Sequence, residues 1–114
     1  MDILPLIGAV ITIGLGVLGL ILPNVAANLV GIEAENGLGR SEVRATYGGL
    51  FIGLGGCCLW FQSPAMYLVV GIAWCLAAVA RFIAIFIEPE FSHKNIAGIF
   101  FEGGLGLLFL SSAL

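Results

Sequence analysis

Charge is what this sequence has least of. Only four lysine or arginine residues and seven aspartate or glutamate residues are spread over 114 positions. Charged residues make up 10% and hydrophobic ones 61%, and the mean hydropathy is +1.16. A soluble domain carries about 25% charged residues, so one folded from this chain would expose large apolar patches to water. Four basic side chains and a formal net charge of −3 exclude a phosphate-tracking surface, and no nucleic acid is expected as a partner. Cysteine is scarce too. Cys57, Cys58 and Cys75 are an odd number, and the adjacent pair cannot bridge on a helix without distortion. They are expected to be small apolar fillers. The single histidine, His93, has Glu88 and Glu90 nearby in a polar loop and is expected to be solvated. No metal, cofactor or catalytic residue is expected.

What is present in quantity is apolar sequence, in four long runs. They cover about Leu4 to Leu22, Val43 to Phe61, Ala65 to Ile87 and Asn95 to Leu114. A helix crossing a hydrocarbon core of roughly 30 Å needs about 20 residues, so each run is long enough for one crossing. Pro23, Pro64 and Pro89 stand at the breaks, where a missing amide and a restricted preceding residue end helices. The runs are too long for barrel strands and do not alternate with period two. The expected fold is therefore all-α: a polytopic membrane protein, one four-transmembrane-helix antiparallel bundle over residues 1–114. Met1-Asp2-Ile3-Leu4-Pro5 lacks the basic opening of a signal peptide, so the first run is expected to be a retained helix.

The link from Pro23 to Glu42 is the longest. Its part from Asn24 to Ile32 is amphipathic enough to extend the first helix or to lie at the interface, and Ser41 is expected to cap the second helix with Glu42 in its first turn. Orientation follows from basic residues in short loops. Arg40, Arg44 and Lys94 fall in or beside the first and third loops, which places those loops in the cytoplasm and both termini in the periplasm.

Glycine, with 17 residues, is placed in rows. Ala45, Gly49, Gly53 and Gly56 share one stripe of the second helix. The first helix carries Gly8, Gly14, Gly16 and Gly19, and the fourth carries Gly98, Gly103, Gly104 and Gly106. The third substitutes Ala73, Ala77, Ala80 and Ala84. Small residues let backbones approach in lipid, so these rows predict close packing within the bundle, or a seam with a second copy or another subunit.

Two charges lie inside apolar runs, Arg81 and Glu102. Near the bilayer centre each costs at least about 2.5–3.5 kcal/mol, so such residues face a partner or a wet cavity. Arg81 precedes Glu88 by seven positions and Glu102 follows Asn95 by seven. At about 1.5 Å per residue, both lie roughly 10 Å below the same membrane face, and a direct ion pair is the simplest account. On the third helix Trp74, Ala77, Ala78, Arg81 and Glu88 share a face. Asn95, Gly98, Glu102 and Gly106 form the matching stripe, with glycine leaving space beside the carboxylate. Arg44, Tyr47, Glu42, Asn24 and Asn28 approach from the same membrane side. Three accounts follow. The cluster is a buried salt bridge fixing helix register, with Arg44 snorkelling to the headgroups; or it is a polar pocket in the cytoplasmic half of the bundle binding a headgroup or small molecule through Arg44, Tyr47, Arg81, Glu102, Glu42 and Asn28; or it conducts protons or ions, for which the sequence offers no polar path across the outer half.

The stretches Ser41-Glu42-Val43-Arg44-Ala45-Thr46-Tyr47-Gly48-Gly49-Leu50, Ala80-Arg81-Phe82 and Phe101-Glu102-Gly103-Gly104-Leu105 resemble a bacterial family of small four-helix membrane proteins, domain of unknown function 4345. The resemblance covers nearly the whole chain and implies an inner-membrane location, four helices, and an arginine on the third helix with a glutamate on the fourth. It implies no activity. The function expected first is a non-catalytic assembly or accessory subunit, a homo-oligomer or part of a membrane complex, packed through glycine-rich helices among membrane lipids. The alternative is a lipid- or small-molecule-binding protein, a transporter or a membrane enzyme.

Overall fold

The helix ends are set by missing backbone donors and by side chains that replace them. The computed structural model describes residues 3–113; Met1 and Asp2, which precede the first run, and Leu114, the expected end of the fourth, lie outside the described residues. Helix α1 covers Ile3–Ile21. Pro23 has no amide to continue its ladder, Leu22 leaves the helical region (φ −124°, ψ 68°), and the chain restarts as α2, Pro23–Leu29. The predicted interfacial segment is thus a separate short helix. It ends in a Schellman motif: the amide of Ile32 donates to the Ala27 carbonyl and that of Gly31 to Asn28. Gly31 takes φ +81° there, which glycine adopts without a Cβ penalty.

The next helix does not begin at Val43 with Ser41 as its cap. Asn36 caps it, its Oδ1 accepting from the Gly39 amide at 2.8 Å, and α3 covers Gly37–Val43. Ser41 and Glu42 are already inside the helix, where no free amide needs a cap. A π-helical segment, Arg44–Leu50, follows, and then α4, Phe51–Phe61. Val43, Arg44 and Phe51 all have right-handed helical dihedrals, so the helical backbone is unbroken over residues 37–61. The apolar run is only the later part of this helix. Gln62, with φ +46°, turns the chain. Ser63 Oγ accepts from the Met66 amide at 3.2 Å and opens α5, Pro64–Ile87. Ser92 caps α6, His93–Leu110, which closes in a 3-10 turn, Ser111–Ala113. Among the described residues all regular structure is helical. Three helices, α1, α5 and α6 with its closing turn, are long and apolar enough to cross a membrane.

The chain divides into two compact units, Ala9–Phe61 and Met1–Gly8 with Gln62–Leu114. In the first unit α1 runs antiparallel to residues 37–61, and glycine sets the approach. A Cβ on Gly16 would lie 2.8 Å from the Gly48 carbonyl oxygen, one on Gly19 2.9 Å from the Tyr47 carbonyl oxygen, and one on Gly55 2.7 Å from the Ala9 carbonyl oxygen. The predicted stripe is therefore displaced. Gly53 and Gly56 have no atom within 4 Å of a built Cβ, and Gly49 meets only the Arg44 carbonyl, at 4.0 Å. Gly48, Ile52 and Gly55 form the packed row one position round the helix. At the end of this pair, α2 packs Ala26 and Ala27 on Val43 of α3, with Leu18, Ala34 and Tyr47 around them.

In the second unit α5 and α6 are antiparallel. A Cβ on Gly106 would collide with Cys75, whose backbone nitrogen would be 2.9 Å away, and would lie 3.0 Å from the Gly71 carbonyl oxygen. Gly103 faces Ala78, and Gly71 faces Phe109 and Leu110. Of the alanines expected to replace glycine on this helix, Ala73, Ala80 and Ala84 are exposed, and Gly71, Cys75 and Ala78 make the seam instead. Cys58 is fully buried and Cys75 fills the seam, as expected of small fillers, whereas Cys57 is exposed.

Candidate functional site

The α5–α6 seam ends in the two charges that interrupt the apolar runs, Arg81 and Glu102. Moving along it from Gly71 through Cys75 and Ala78, the next residue on the same face of α5 is Arg81. Opposite it on α6 stand Asn95, Gly98 and Glu102, at helical spacings of three and four that align them in one row. Arg81 Nε donates to Glu102 Oε1 at 2.7 Å and Nη2 donates to Oε2 at 3.2 Å, a two-pronged ion pair. The remaining guanidinium nitrogen, Nη1, donates to Asn95 Oδ1 at 3.1 Å. All three nitrogens of the arginine are thus engaged within its own hairpin.

Asn95 is itself held. Its Nδ2 donates to the Glu90 carbonyl at 2.8 Å, which leaves Oδ1 as the acceptor for arginine, and its amide donates to Ser92 Oγ at 3.3 Å. Gly98 completes the seat: a Cβ there would lie 2.8 Å from Arg81 Nε and 2.9 Å from its Cζ. The glycine expected to leave room beside the carboxylate leaves room for the guanidinium instead. The side chains of Arg81 and Glu102 are 24% and 16% exposed, so the pair is largely shielded. Such an arrangement neutralises two charges and ties the helix pair to the α5–α6 loop. Asn95 appears in the sequence as one polar residue of a stripe. Its role as third member of the cluster is set by the Arg81 contact across the seam, and the sequence signals only that it shares a stripe with Glu102.

The other sequence-predicted residues belong to the unit Ala9–Phe61. Arg44 is exposed, and its Nε donates to the Leu20 carbonyl at 3.1 Å. That carbonyl lies in the last turn of α1, where acceptors lack helical partners and a cation is favoured by the helix dipole. Tyr47 is half-buried against the Ala26, Ala27 and Val43 cluster and stacks edge-on with Phe51, centroids 5.7 Å apart. Glu42 and Asn28 are exposed. Arg44 and Tyr47 are thus placed on the rim and flank of one helix pair, and Arg81 and Glu102 in the seam of the other.

No curated protein and no solved structure matches the chain. The model of one protein family, described as Domain of unknown function (DUF4345), matches residues 1–112. With that match over almost its full length, and with the arginine and glutamate of the resemblance joined across the α5–α6 seam, the chain belongs to the DUF4345 family.

Proposed function

We propose that this chain is a non-catalytic integral membrane protein with four membrane-crossing helices, acting as an assembly or accessory subunit. The observation that carries this reading is the closure of the polar cluster. Arg81 spends its three nitrogens on Glu102 and Asn95, which argues for a device that holds helix register and against an anion site at that guanidinium. For the fourth crossing, the support is the unbroken helix over residues 37–61, which carries no charged residue after Arg44. The many exposed apolar side chains, among them Ile21, Trp60, Val69, Phe86 and Phe100, suit a lipid solvent. The open Gly49, Gly53 and Gly56 row suits a second copy or another subunit, because small residues allow close helix approach in lipid.

The test is particle size in native lipid discs. The parent is expected to run as a particle holding more than one chain, and Gly53→Leu is expected to reduce it to a single chain without lowering its melting temperature. A parent that is a single chain, with a small molecule in contact with Arg81, would favour the alternative pocket reading and sink this one.

The location we propose is the bacterial inner membrane with both termini periplasmic. It rests on the family resemblance and on Arg40, Arg44 and Lys94. A reporter active only in the cytoplasm, fused after the last residue, should stay silent, and one inserted in the Glu88–His93 loop should be active. The reverse pattern overturns the orientation.

A further inference from the structure

Arg40 and Arg44 stand one helical turn apart where α3 passes into the π-helical segment, a spacing that puts neighbouring side chains on one face. Among the described residues neither has a carboxylate partner within ion-pair distance; the Arg40 side chain makes no hydrogen bond, and Arg44 makes one, from Nε to the Leu20 carbonyl. That single bond holds the guanidinium through Nε and leaves Nη1 and Nη2 without a hydrogen-bond partner among the described residues, two donors that suit a phosphate. Next to them α2 buries Pro23, Ala26 and Ala27 and presents its other face to the outside: Val25 is 47% and Leu29 58% exposed. Leu22, Ile32 and Leu38 extend this exposed apolar surface. A short helix with one packed face and one free apolar face, beside two unpaired guanidiniums, has the make-up of a segment lying in the lipid interface.

We propose that Arg40 and Arg44 form a headgroup site for an anionic phospholipid, with the outer face of α2 and Leu38 against its acyl chains. The arginines supply charge-assisted hydrogen bonds to the phosphate, and the apolar residues give the lipid a bound position rather than a diffuse attraction. Glu33, Glu35 and Glu42 are exposed in the same segment. Glu42 is two positions from both arginines and therefore on a different face of the helix. The proposal rests on the membrane reading of the chain, but it is independent of whether the chain assembles with others.

The probe is phosphatidylglycerol competing with phosphatidylcholine, in equal amounts, for retention on the purified full chain in native mass spectrometry. The parent is expected to retain phosphatidylglycerol preferentially. Each of Arg40→Gln and Arg44→Gln is expected to weaken that retention about five-fold, the worth of one basic residue at an anionic surface. Lys94→Gln, which removes a cation elsewhere, should leave it unchanged. Arg40→Gln removes no side-chain hydrogen bond within the protein, so its fold is expected to persist even if Arg44→Gln loosens the α1 terminus. Equal retention of the two lipids by the parent, or equal losses from all three variants, overturns the site. Release of the parent from membranes by an alkaline wash would instead overturn the membrane reading beneath it.

Discussion

Arg81→Met with Glu102 left in place is expected to destabilise the protein by about 3–5 kcal/mol where the stranded carboxylate stays buried and charged, and by less where it neutralises or reaches water. The reasons are in the geometry. Glu102 accepts from two nitrogens of the arginine at 2.7 and 3.2 Å, and no other cation is hydrogen-bonded to it among the described residues. Glu102→Gln alone is expected to be damaging too, because the guanidinium keeps only Asn95 as a full acceptor and one amide oxygen replaces two carboxylate oxygens. The double variant Arg81→Met with Glu102→Gln should recover most of the loss, since two neutral side chains of similar size carry no uncompensated charge into lipid. Detergent unfolding of the four proteins measures this as a double-mutant cycle. Additive losses would show that the two side chains act separately and would overturn the pairing. Recovery of stability together with cellular function is the result expected of a register device, whereas recovery of stability with loss of function would return the cluster to the pocket hypothesis.

Gly55→Leu should be the most damaging glycine substitution on the second long helix. A Cβ at this position would stand 2.6 Å from Ile13 Cγ1 and 2.7 Å from the Ala9 carbonyl oxygen. The isoleucine side chain can adjust in part, but the carbonyl belongs to the backbone of α1 and cannot move without separating the helices. Overpacking that shifts backbone costs about 1–3 kcal/mol and occasionally more, and this position is expected at the upper end. At Gly53, two residues away in the same helix, a Cβ would meet nothing within 4 Å, and Gly53→Leu is expected to fall within about 0.5 kcal/mol of the parent, as surface substitutions do. Thermal unfolding of the two variants side by side is the measurement. Similar melting temperatures for both would contradict the packed row, and a reversed order would restore the row read from the sequence.

The all-α class, the apolar character of the long helices and their approximate extents were determined by the sequence, because they depend on quantities local to the chain. Long apolar runs, scarce charge and prolines at the breaks need no knowledge of neighbours. Boundaries were legible where the stop signal is local, as at Pro23, Ser63-Pro64 and Glu88-Pro89. They were not legible at residues 37–42, where a capped helix extends beyond the apolar run and hydropathy carries no mark of it. The Arg81–Glu102 pair was also determined by the sequence, since two lone charges at equal depth on consecutive helices leave each other as the obvious partner.

Which glycine row packs was decided only by the tertiary structure. Gly48 with Gly55 and Gly49 with Gly53 and Gly56 are neighbouring rows on one helix, about 100° apart per residue of offset, and each has the spacing of a packing stripe. The choice belongs to α1, whose Gly16 and Gly19 admit Gly48 and Tyr47 backbone and whose Ile13 closes on Gly55. In the same way the third acceptor of Arg81 came from a loop carbonyl turning Asn95, and Arg44 found the end of α1 rather than a carboxylate. Apart from the local turn between Glu90 and Asn95, these are distances between residues of different helices, and no periodicity within one segment contains them.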